Sequence, residues 1–173
     1  KMGHGQVIDG MIKDGLWDVY NDYHMGNAGE LCARELNISR EEQDDYAVAS
    51  YNRSAEATEK GWFRDEIVPV SVPQRKGDPL VIDKDEEFTR VKFEKIPSLR
   101  PVFDKEGTIT AANASTINDG GSATVLASET AVKEHNLNPL ARIVAYADAA
   151  QTPEWFTTAP VLAIETVSYT HLR

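Results

Sequence analysis

Residues 107–121 read Gly107-Thr108-Ile109-Thr110-Ala111-Ala112-Asn113-Ala114-Ser115-Thr116-Ile117-Asn118-Asp119-Gly120-Gly121. This stretch is too poor in large apolar side chains to be ordinary core. Small residues let another backbone or a ligand approach closely. The segment therefore reads as a junction, and the fold depends on what flanks it.

Upstream, residues 89–105 reverse the local charge. Arg90, Lys92, Lys95, Arg100 and Lys105 face only Glu94 and Asp104, while the whole chain carries −10. Such a patch attracts an anion locally, although charged runs are usually solvated faces. Further upstream, residues 40–60 read as a helix. Ser39 is an N-cap, Glu42 completes a capping box, and Gly61 suits the residue after the helix end. A shorter helix is expected over residues 27–36, although Gly29 within it costs about 1 kcal/mol relative to Ala. Residues 66–72 and 80–82 read as strands, with Pro69 interrupting the first. Residues 6–23 read as short helical turns and loops broken by Gly10 and Gly15.

Downstream, residues 122–127 and 141–147 read as strands around a helix that Ser128 caps through about Glu134. Alternating strands and helices here suggest part of an α/β core. The first two-thirds reads as an α+β insertion.

Composition narrows the function. The chain has 173 residues, 41% hydrophobic and 27% charged, as ordinary globular proteins do. The acidic balance argues against a nucleic-acid partner. No run is long enough to span a membrane. Cys32 is the only cysteine, which excludes an intrachain disulfide. Flanked by Leu31 and Ala33, it reads as a small buried hydrophobe.

Tyr23-His24-Met25-Gly26 and residues 110–120 resemble the thiolases. So do residues 39–54, Glu66-Ile67-Val68-Pro69-Val70 and Pro139-Leu140-Ala141-Arg142-Ile143-Val144. The resemblance spans residues 3–166 and is nearest to the branch acting on acetoacetyl-CoA. It implies a thiolase-like layered α/β fold, represented here mainly by the inserted α+β loop domain. Residues 1–118 would be that loop domain, residues 119–139 the end of the N-terminal half, and residues 140–166 the start of the C-terminal half. Residues 167–173 resemble translated sequencing adapter and are expected to be extraneous. The chain would then be an internal fragment.

The resemblance further implies condensation of two acetyl-CoA to acetoacetyl-CoA, and the reverse thiolysis, through a cysteine acyl-enzyme. The nucleophile would lie before Lys1. The activating histidine, the second cysteine and an oxyanion-hole asparagine would lie beyond Ile164. No catalytic residue is thus expected here, and this segment alone is expected to be inactive. His24 and Met25 match the family's acyl-thioester and pantetheine pocket. Arg90, Val91, Lys92 and Lys95 match its segment at the coenzyme A nucleotide, where phosphates need cationic donors. Ser115 matches a pantetheine contact. Tyr51, as a further substrate-site residue, and the carbonyls of Ala111, Ala112 and Ala114 resemble a potassium site. Gly29 and Gly121-Ser122 depart from the alanines usual in the family, but remain small. The implied partners are acetyl-CoA, acetoacetyl-CoA and further copies of the chain, in a mitochondrial or, alternatively, cytoplasmic setting. The competing readings are a longer-chain 3-ketoacyl-CoA thiolase and a non-catalytic coenzyme A-binding module.

Overall fold

The computed structural model describes residues 2–171; Lys1, Leu172 and Arg173 lie outside the described residues. The chain divides into two compact units, one of residues 1–32 with 115–173 and one of residues 33–114.

In the first unit, a π-helical turn, Ile12–Leu16, leads into β1 (Trp17–Asp18). This strand pairs antiparallel with β2 (Tyr23–His24), in the register Trp17 to His24 and Asp18 to Tyr23. Asp18 makes the tight connection. Its carboxylate accepts from the Tyr20 and Asn21 amides at 2.9 and 3.1 Å and from Asn21 Nδ2 at 2.8 Å. The Asn21 side chain first, and those amides with it, hold the Asp18 carboxyl below its usual range. α1 (Met25–Glu35) follows directly and continues into the second unit. Gly29 is tolerated within it. Cys32 is half-buried rather than buried, and the buried residues of this helix are Ala28, Glu30 and Ala33 instead.

The second unit is organised by α2 (Arg40–Glu59), the longest helix among the described residues. The Ser39 hydroxyl accepts from the Glu42 amide at 3.1 Å, and the Glu42 carboxylate accepts from the Ser39 amide at 2.8 Å. That reciprocal pair satisfies orphan groups at the helix start. The helix ends where Gly61 adopts φ +70°, a conformation costly for other residues. The expected strand over residues 66–72 shortens to β3 (Val70–Val72), paired antiparallel with β4 (Leu80–Ile82). Residues 61–66 form turns, and Pro69 lacks the N–H that would extend the ladder. α3 (Glu87–Arg90) and a 3₁₀ helix, Phe93–Ser98, then place the basic segment in helical turns.

Two expected strands are not formed. Residues 122–127 and 141–147 are irregular, with Val125 at 90% and Val144 at 67% exposure. A strand exists only through a neighbour's ladder, and among the described residues no strand pairs with either segment. Between them the expected helix is present as α4 (Glu129–Glu134), with Ser128 Oγ accepting from the Ala131 amide at 3.1 Å. A 3₁₀ helix, Pro153–Thr158, precedes α5 (Ala159–His171), so residues 167–171 continue a helix.

Candidate functional site

One stripe of α2 carries Arg40, Asp44, Ala47 and Tyr51, spaced four, three and four apart, which keeps them on one helical face. Asp44 and Ala47 are buried. The apolar core is slight: the buried apolar residues among those described are Ala28, Ala33, Ala47, Ala57 and Ile96. Alanines bury little area, so polar bonds must fix the geometry here.

Those bonds run in two directions from the stripe. Arg40 Nε donates to Asp44 Oδ2 at 2.7 Å. Its other two nitrogens donate to the carbonyls of Leu99 at 3.2 Å and Ile96 at 2.8 Å. Arg40 thereby holds the C-terminal end of the basic 3₁₀ helix. On the other side, Asn113 Nδ2 donates to Asp44 Oδ1 at 2.9 Å and to the Thr108 carbonyl at 3.1 Å. Asn113 Oδ1 accepts from the Thr110 amide at 2.7 Å, and Gln43 Nε2 donates to Thr108 Oγ1 at 2.8 Å. Thr110 is fully buried. The Ala114 amide closes the turn onto the Thr110 carbonyl at 2.9 Å.

Between these two anchored segments lies an open groove of about 240 Å³. Tyr51, Glu87, Arg90 and Val91 line it, with Lys92, Lys95, Ile96, Leu99, Ala111 and Ala112. Three cations thus face one carboxylate. Arg90 pairs with Glu86, one turn earlier, on the exposed surface. Lys92 and Lys95 have no ion-pair partner among the described residues. Their charge is available to an anion, and long flexible stems let them follow a phosphate rather than fix it.

Tyr51 packs edge-on against Phe93, with ring centroids 6.3 Å apart. Burial lifts its hydroxyl above the ordinary tyrosine range, and the Glu87 carboxylate pushes the same way. Tyr51 therefore stays a neutral phenol near neutral pH and offers oxygen lone pairs. Tyr51, the Glu87 carboxylate and the backbone of Ala111 and Ala112 belong to the lining of one groove, and oxygen donors of this kind suit a hard cation. Among the described residues no group of three or more His, Cys, Asp or Glu could hold a metal ion.

The other expected site residues lie elsewhere. Ala114 is half-buried and does not line the groove. Ser115 is exposed and belongs to the first unit. His24 and Met25, also in that unit, are half-buried at the junction of β2 and α1. His24 Nδ1 accepts from the Gly26 amide at 3.0 Å. The neutral imidazole consequently carries its hydrogen on Nε2, leaving that nitrogen a donor. Glu87, Ile96 and Leu99 line the groove without having been singled out in the sequence. Glu87 stands at the end of the acidic run Asp83, Asp85, Glu86 and Glu87, and Ile96 and Leu99 are aliphatic residues within the basic segment. Arg40 and Asp44 at i,i+4, in register with Tyr51 at i+11, are the signal that could have marked the network.

No helix among the described residues is long and apolar enough to cross a membrane. The family model for the thiolase N-terminal domain matches residues 1–130. An acetyl-CoA acetyltransferase of Arabidopsis thaliana is 52% identical over 95% of this chain and 41% of its own length. A mitochondrial acetyl-CoA acetyltransferase of Macaca fascicularis is 54% identical over 95% of this chain and 39% of its own length. The chain thus spans about two-fifths of the curated relatives it matches. The crystal structure of a thiolase from Ascaris suum in complex with coenzyme A covers 98% of this chain and 43% of that one. It matches with a TM-score of 0.90 at 42% identity. With a family model matched across residues 1–130 and solved relatives of the same fold, the chain belongs to the thiolase family.

Proposed function

We propose that the complete enzyme containing this chain is an acetyl-CoA C-acetyltransferase, condensing two acetyl-CoA to acetoacetyl-CoA and running the reverse thiolysis. The observation that carries this reading is the groove of Arg90, Lys92 and Lys95, in a chain whose fold matches a coenzyme A-complexed thiolase. The relatives' names point to acetyl-CoA rather than to longer acyl chains, and no observation favours a non-catalytic module.

In the proposed reaction, a cysteine thiolate outside this chain attacks the acetyl-CoA carbonyl, and coenzyme A thiolate leaves. The second acetyl-CoA loses a proton at its methyl carbon and attacks the acyl-enzyme, returning the cysteine. This chain's residues bind and orient. Arg90, Lys92 and Lys95 hold the nucleotide phosphates by charge, and Val91 packs beside them. Ser115 hydrogen-bonds a pantetheine amide. His24 lies at the thioester end of the substrate, and Met25 supplies an adaptable apolar wall.

A potassium ion fits the oxygen donors of Tyr51 and of the Ala111 and Ala112 carbonyls. The Ala114 carbonyl belongs to the same proposed set, although Ala114 does not line the groove. The ion would supply positive charge beside the groove. The relatives from Macaca fascicularis and Bos taurus are named mitochondrial, which supports a mitochondrial setting. We place the complete enzyme there as a homo-oligomer, without nucleic-acid or membrane partners.

The test is thiolysis of acetoacetyl-CoA by the complete enzyme, beside the same assay on residues 1–173 alone. Activity in the first and none in the second is expected, because the nucleophile lies outside the chain. No thiolysis by the complete enzyme would remove the reading, and turnover by the short chain would remove the placement of the nucleophile.

A further inference from the structure

We infer that Asp44, with Arg40 and Asn113, is a positioning centre that sets the spacing between the two walls of the groove and so governs coenzyme A affinity; this rests on the groove's assignment under Proposed function. One buried carboxylate serves both sides. Asp44 Oδ2 takes Arg40, whose remaining nitrogens hold the carbonyls of Ile96 and Leu99. Asp44 Oδ1 takes Asn113, which fastens the Thr108 carbonyl and the Thr110 amide. Ile96 and Leu99 line one wall, and Ala111 and Ala112 the other.

None of the three network residues lines the groove, so none touches its contents. Their effect passes through the walls. Tyr51, two turns along the same face of α2 as Asp44, also lines the groove. Asp44 is only 8% exposed, and a charge-assisted bond at that burial is directional and stiff. If Asn113 is lost, Ala111 and Ala112 are released from Asp44 while Lys92 and Lys95 remain in place.

The decisive variant is Asn113→Ala in the complete enzyme, assayed for thiolysis of acetoacetyl-CoA with varied coenzyme A. The KM for coenzyme A is expected to rise about tenfold, with kcat changed less than about twofold. A variant that is merely less stable would lose active enzyme and lower kcat without moving KM. Gln43→Ala removes the 2.8 Å bond to Thr108 Oγ1, together with a long 3.4 Å bond to the Ile38 carbonyl at the helix start, and should raise KM about two- to threefold. It supplies the answer should Asn113→Ala fail to fold. An unchanged KM in folded Asn113→Ala, or in Gln43→Ala where that is the only folded variant, overturns the inference. So does a fall in kcat that matches the rise in KM. A wild-type enzyme without thiolysis would instead sink the functional reading, which keeps the two failures distinct.

Discussion

Helix α2 and residues 119–150 invert the usual expectation. α2 is rich in Glu, Asp and Arg, yet it anchors the interior of its unit through Asp44 and Ala47. Residues 119–150 carry Val125, Leu126, Leu140, Ile143 and Val144, yet these are exposed, Leu140 at 99%. The difference lies in where each finds its hydrogen-bond partners. A capped helix closes its backbone bonds within itself, and its polar stripe then needs only a few side-chain contacts. A strand closes nothing alone. However apolar its side chains, it waits for a neighbour, and among the described residues 122–127 and 141–147 have none.

Hydrogen exchange on the isolated chain would break or confirm this contrast most sharply. Interior amides of α2 should exchange at least about a hundredfold more slowly than those of residues 122–127 and 141–147. Equal protection would break the comparison. In the complete enzyme the two segments should gain protection, since their missing partners would be present.

Removing the centre of the ordered region comes next in size. Asp44→Ala leaves Arg40, half-buried, without its carboxylate, and leaves Asn113 Nδ2 only the Thr108 carbonyl as acceptor. A loss of about 2–3 kcal/mol is expected in chemical denaturation of the chain. A loss below about 0.5 kcal/mol would mean that the network follows the fold rather than fixing it.

The helix start should matter less. Ser39→Ala is expected to cost about 1 kcal/mol. The Glu42 carboxyl is held below its ordinary range, chiefly by the Ser39 amide and then by the Ser39 hydroxyl. Its folded value is therefore below its unfolded one. The associated stability is present above the unfolded value and lost as pH falls through the folded one. Denaturation at neutral pH and at about pH 3 should show a smaller acid loss in Ser39→Ala than in the parent chain. The smallest effect is expected at Lys133, whose pair with Glu129 at 2.6 Å is exposed; Lys133→Ala should change stability by less than about 0.5 kcal/mol.

The same contrast explains what could be read in advance. The capping box at Ser39 and Glu42, the Gly61 stop and the Ser128 cap are local signals, and each appears where its residues stand. The basic segment was legible as charge, and its residues Arg90, Lys92 and Lys95 do share one groove with Tyr51, Ala111 and Ala112. What stayed hidden depends on distance along the chain. Asn113 meets Asp44 across 69 positions, and Arg40 meets Ile96 across 56. No spacing rule joins such residues. The strands expected over 122–127 and 141–147 are absent for the same reason, because β-branched composition marks suitability for a sheet and not the presence of one.

In the proposed function, the groove of α2, α3 and the basic 3₁₀ helix receives the phosphates of coenzyme A. A crystal structure of the complete enzyme with coenzyme A tests it most directly. Phosphate oxygens are expected within hydrogen-bonding or ion-pair reach of Arg90, Lys92 or Lys95, with Asp44 still bridging Arg40 and Asn113. Coenzyme A bound with its phosphates away from all three cations would contradict it.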